Sequence, residues 1–119
     1  MTTSSAKGAP ATENELAEKH CTPCKGGVEP MKGRELAGLI QYATGWEAVN
    51  EHHLKRTFTF PDFKRALEFT NKVGALAEQE GHHPDIFLTW GKVEVTTYTH
   101  KIDGISQNDF ILAARINKL

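Results

Sequence analysis

The chain has 119 residues, with 14 Lys+Arg against 15 Asp+Glu and a formal net charge of −1 with histidine neutral. That length argues for one domain, since single hydrophobic cores fill about 50–200 residues. No basic block offers an electrostatic footprint for nucleic acid or anionic membrane, and nothing approaches the roughly 20 consecutive apolar residues that span a bilayer. The first twelve residues are small and polar without the apolar run of a secretory signal, so a cytoplasmic address is expected.

Residues 1–30 are expected to form a flexible N-terminal arm, and residues 31–119 the folded domain. The arm carries Cys21-Thr-Pro-Cys24 followed by Gly26, Gly27 and Pro30. Two cysteines this close make no disulfide framework. With His20 they look like half of a zinc knuckle, but a full site needs four ligands and there is no second pair. A structural turn with reduced thiols is the expectation.

A first helix is predicted over Lys32 to Thr44, with Leu36, Leu39, Ile40 and Ala43 on one face and Gly45 as its stop. Trp46–Asn50 and Leu54–Phe60 read as strands, the second alternating Leu54, Arg56, Phe58 and Phe60 against Lys55, Thr57 and Thr59. Glu51-His52-His53 falls between them as a loop, with both histidines solvent-exposed and inert. Pro61-Asp62 opens a long helix to about Gly81, with Phe63, Ala66, Leu67, Thr70, Val73, Gly74 and Ala77 as its buried stripe, widened by Phe69 and Leu76. Strands Asp85–Trp90 and Val93–Thr99 follow around Gly91-Lys92, with Trp90 expected in the core. Ser106-Gln-Asn-Asp109 has the form of a capping box before a last helix to Leu119, whose inner face is Leu112, Arg115, Ile116 and Leu119. The fold class is α+β: a four-stranded antiparallel sheet with three helices packed on one face, in the order α-β-β-α-β-β-α.

Chemistry concentrates in the last third. His82 and His83 stand just past the long helix, where Pro84 fixes the exit path. His100 ends the last strand, and the hairpin carries it back toward the histidine pair. Imidazole gives and takes protons near neutrality without special tuning, so three converging on one pocket point to proton transfer. Any one of them alone has a structural explanation, such as a favourable place at a helix C-terminus. A metal site is disfavoured, because contiguous ligands such as His82-His83 sit awkwardly on one small ion.

Glu78, three residues, His82-His83-Pro84, five residues, Trp90, nine residues, His100, eight residues, Asp109 resembles the signature of the pterin-4a-carbinolamine dehydratases. The resemblance extends from about Trp46 to Asn117. It implies the same α+β fold, assembled as a homodimer through sheet edges or a homotetramer through helices. The implied reaction is dehydration of a 4a-hydroxytetrahydropterin, such as 4a-hydroxytetrahydrobiopterin, to the quinonoid dihydropterin. That step recycles the pterin cofactor of an aromatic amino-acid hydroxylase and needs no metal or organic cofactor. Carried over by position, His82 and His83 would act as general acids on the 4a-hydroxyl, and His100 would face the ring near N5. Glu78 and Asp109 would orient the imidazoles, while Tyr98, Thr99 and Lys101 would line the pterin edge. Relatives on the same scaffold also imply an alternative, a non-catalytic dimerisation or assembly factor.

Overall fold

The computed structural model describes residues 12–23 and 26–119. Helices α1 (Glu13–Ala17), α2 (Gly33–Ile40), α3 (Phe63–Glu80) and α4 (Gln107–Ile116) combine with strands β1 (Glu47–Val49), β2 (His53–Thr59), β3 (Asp85–Thr89) and β4 (Lys92–Thr97). A 3-10 turn covers His100–Ile102. The strands form one antiparallel sheet in the order β1-β2-β4-β3, the α+β arrangement that the hairpin spacing anticipates. On β4, Val93, Val95 and Thr97 are fully buried beneath the helices while Glu94 and Thr96 are only half-buried, the period-two pattern of a sheet covered on one face. No helix among the described residues is long and apolar enough to cross a membrane.

The described part of the arm, residues 12–23 and 26–30, differs from expectation. It carries α1, capped by Thr12 Oγ1, which accepts the Glu15 N–H at 3.0 Å. Leu16 in α1 is wholly buried. Its cover changes α4, whose expected single inner face becomes burial of Phe110, Ile111, Leu112, Ala113, Ala114 and Ile116, while Leu119 stays exposed. A helix with sheet below and another helix above has little face left for water.

The stripe on α3 is also rotated from the expected one. Ala66, Val73, Leu76 and Ala77 are buried, whereas Phe63 and Leu67 are exposed at 43% and 39%. Phe69 decides the rotation: its ring packs on Phe58 and Phe60 of the sheet at 4.6 and 5.1 Å between centroids. Trp90 is not core. Thr89 pairs with Lys92, so the β3–β4 turn falls on Trp90-Gly91 and leaves the indole 69% exposed. A Cβ on Gly91 would stand 2.9 Å from the Phe60 carbonyl oxygen, and this close approach reserves the second turn position for glycine.

Candidate active site

The site begins at the C-terminus of α3. Gly81 adopts φ +66, letting its N–H bond the Glu78 carbonyl and the His82 N–H bond the Ala77 carbonyl at 3.2 Å. This pair of bonds is the left-handed glycine termination that ends many helices, and it throws the next residues off the helix axis. A Cβ at Gly81 would meet nothing within 4 Å, so only backbone strain opposes one. Gly81→Ala is therefore expected to cost about 1 kcal/mol, read as a lower urea midpoint with unchanged slope.

The two histidines after this glycine part company. His82, with its side chain 12% exposed, donates Nε2–H to Asp109 Oδ1 at 2.6 Å. His83, 62% exposed, bonds Glu78 Oε2 through Nε2 at 2.7 Å. Each imidazole thus has its own carboxylate, which favours the tautomer with the proton on Nε2 and fixes the ring plane.

Asp109 is fully buried, and its surroundings explain how a carboxylate survives there. Besides His82, its oxygens accept from the Thr97 hydroxyl at 2.6 Å, the Thr99 hydroxyl at 2.8 Å and the Ser106 N–H at 2.9 Å. Ser106 completes the capping box by accepting the Asp109 N–H. With Thr99 donating to Asp109, Ser106 is left to donate to Thr99 across 2.6 Å. Four donors on two oxygens satisfy the charge. The capping box anticipated from sequence is thus also the seat of His82, because the first turn of α4 lies under the end of β4.

His100 is held differently. Its ring stacks on Tyr98, with centroids 4.3 Å apart and planes 19° from parallel. The expectation for His52 and His53 fails here, because both are half-buried and bonded. His52 Nε2–H donates to Asp103 Oδ1 at 2.8 Å, its Nδ1 lies 3.1 Å from His53 Nδ1, and its ring rests 4.6 Å from that of Tyr98. The cause is the hairpin: Asn50 and Glu51 take φ +54 and +53, so the turn is made one residue earlier and His53 enters β2. Burial, then the neighbouring His52 and Lys55, hold the His53 pKa below its ordinary value against the pull of Asp85.

His82, His83, His100, Glu78, Tyr98, Thr99 and Lys101 line a single cavity of about 600 Å³, within the usual range for small-molecule sites. Pro84 does not line it, and Asp109 stands behind His82. The sequence gives no sign of the rest of the lining, to which Cys21, Thr22, Pro23, Glu80 and Asn108 contribute. Asn108 clasps the arm through both ends of its amide, accepting the Thr22 N–H at 3.0 Å and donating to the Thr22 carbonyl at 2.5 Å. Arg115 donates to the Ala17 and Lys19 carbonyls. The Cys21 thiol donates to the Asn108 carbonyl at 3.5 Å, and burial together with the Glu80 and Asp109 charges pushes its pKa up to about 12, which leaves a poor nucleophile. Cys24 lies outside the described residues.

Glu80, its side chain only 2% exposed, accepts the Cys21 N–H at 2.8 Å and bonds His20 Nδ1 at 3.0 Å. Burial raises the Glu80 pKa, but these bonds and the charges of Arg115 and His20 outweigh it, so the net shift is downward from 4.5. A depressed folded-state value means the latch contributes fully above pH 4.5 and weakens as pH falls through the lowered value. The Cys21 amide resonance is expected to move toward its unstructured position over that acid range, and to stay fixed from neutrality down to it.

The pattern described as pterin 4 alpha carbinolamine dehydratase matches residues 29–119. A protein of Rubrobacter xylanophilus provisionally named a pterin-4-alpha-carbinolamine dehydratase is 56% identical over 106 residues, 89% of this chain and 99% of its own. One of Alkaliphilus metalliredigens with the same provisional name is 52% identical over 106 residues, 88% of this chain and 96% of its own. These alignments are longer than the span 29–119 and so take in part of the arm. The crystal structure of a transcriptional coactivator/pterin dehydratase from Brucella melitensis superposes with a TM-score of 0.71 at 28% identity, covering 76% of this chain and 97% of that one. Pattern, relatives and superposition point the same way, and the chain belongs to the pterin-4a-carbinolamine dehydratase family.

Proposed function

We propose that the protein dehydrates a 4a-hydroxytetrahydropterin to the quinonoid dihydropterin. The observation that carries this reading is three imidazoles on one cavity, two of them backed by their own carboxylates. In the reaction the C4a–O bond breaks with its electron pair leaving on oxygen. That oxygen takes a proton and departs as water. The N5 lone pair forms the C4a=N5 double bond as the N5 proton goes to a base. One proton is delivered and one removed, with no change of oxidation state, so the reading invokes no metal or organic cofactor.

In this reading His82 and His83 serve the departing 4a-hydroxyl and His100 serves the N5 side of the ring. Asp109 and Glu78 orient the first two, and Tyr98, Thr99 and Lys101 border the pterin. Pro84 acts only by directing the chain away from His83. The natural setting would be the cytoplasm, beside an aromatic amino-acid hydroxylase that generates the carbinolamine. A homodimer or homotetramer is part of the same proposal, supported by the exposed Phe87 and Trp90 at the open β3 edge and by Phe63 and Leu67 on α3.

The Brucella protein bears a double name, transcriptional coactivator/pterin dehydratase, and its first half favours a second reading, a dimerisation or assembly factor on the same scaffold. One assay separates the two. Quinonoid dihydropterin is followed from a synthetic 4a-carbinolamine with and without protein, and acceleration abolished by His83→Ala supports the enzyme. A rate equal to the spontaneous one leaves only the binding role.

A further inference from the structure

Two of the three cavity imidazoles are fixed by carboxylates, His82 by Asp109 and His83 by Glu78. Among the described residues His100 has no such partner: its ring is exposed, and the contact that orients it is the stack on Tyr98. A stack on a tyrosine that is itself free to turn would orient nothing. Tyr98 is not free. His52 rests against it at 4.6 Å, and His52 is pinned at both ring nitrogens, by Asp103 at 2.8 Å and by His53 at 3.1 Å.

The contacts close on themselves. Asp103 ends the 3-10 turn that begins at His100, and its N–H bonds the His100 carbonyl at 3.1 Å. Asp103 adopts φ +50, a left-handed conformation that aspartate tolerates better than most residues and that ends the turn. The bridge between Thr99 and Gly104 ties the base of this loop, with Thr99 N–H donating to the Gly104 carbonyl at 2.7 Å. The path therefore runs His100 to Tyr98 to His52 to Asp103 and back along the turn to His100.

We propose that His52 is a positioning residue for His100, acting through Tyr98 as the carboxylates Asp109 and Glu78 act directly on His82 and His83. Its effect on rate rests on the dehydratase reading above, whereas its effect on the His100 ring rests on packing alone. Small errors in the placement of a proton-transfer group lower the rate steeply, so the device matters only if His100 takes part in the chemistry.

The test uses the full chain with His52→Ala, His52→Phe and Tyr98→Phe, checked for folding by thermal melting. The first readout is the proton NMR position of the His100 ring, shielded upfield by the Tyr98 ring beneath it. This shielding is expected to fall by about half or more in His52→Ala and to persist in His52→Phe and Tyr98→Phe, which keep the ring faces. The second readout is dehydration kinetics: kcat is expected to fall about tenfold in His52→Ala with KM within about threefold, and to recover largely in His52→Phe. An unchanged His100 resonance in His52→Ala overturns the proposal whatever the rate does, and so does an unchanged kcat beside a moved resonance. If the wild-type chain proves inactive while the His100 resonance responds as described, the dehydratase reading fails and the packing role of His52 stands.

Discussion

Asp109→Asn is expected to be the most damaging single change of one atom in this protein. The carboxylate is fully buried and accepts from Thr97, Thr99, the Ser106 N–H and His82, two donors on each oxygen. An amide presents two N–H groups where one of those oxygens stood, so whichever way it turns, two donors lose their acceptor. Each buried orphan costs about 1–3 kcal/mol, and a loss near 3 kcal/mol should appear in the urea midpoint. Turning Nδ2 toward His82 would also set donor against donor and force the imidazole into its other tautomer. Dehydration is therefore expected to fall by about 10² or more in kcat, the range for a displaced acid or base, with a smaller change in KM. Full stability with full activity would remove Asp109 from both the structural and the chemical account.

His82→Ala, His83→Ala and His100→Ala are each expected to lower kcat by about 10²-fold or more, and their stabilities should diverge. His83 and His100 are exposed, so their removal should leave the thermal midpoint nearly unchanged. His82 is partly buried against a charge, and its loss leaves Asp109 one donor short, at a cost of about 1–3 kcal/mol. Activity losses without midpoint changes at positions 83 and 100 would mark chemistry rather than folding. Wild-type rates in all three variants would end the assignment of the site.

Much of this was legible along the chain. Gly81 before His82-His83-Pro84 marks a helix end, and the Ser106–Asp109 spacing marks a helix start; both depend on backbone bonds between near neighbours. The period-two strands around Gly91 bring the end of β4 near the histidine pair for the same reason, since a tight hairpin leaves little choice of register, but His100 itself stands beyond β4, in the 3-10 turn. His52 reads as inert along the chain because its partners, Asp103 and Tyr98, lie about fifty residues away and meet it only beyond the paired ends of β2 and β4. Along the chain the stripe on α3 takes in Phe63 and Leu67 as well as Ala66, Val73 and Ala77, because the Phe63 side and the Phe69 side of the helix both fit a helical period. The choice between them was made by Phe58 and Phe60 on the sheet.

The amino-acid order by itself determined the four strands and their hairpins, the long helix with its glycine stop and the last helix with its capping box, all of which follow from propensity, periodicity and short-range hydrogen bonds. Only the tertiary structure decided which carboxylate serves which histidine, that Tyr98 stacks on His100, and that Cys21, Thr22 and Pro23 wall the cavity. Those pairings are side-chain contacts between segments far apart in the chain. Their geometry exists only once the sheet and helices have packed, and residue spacing carries no term for it.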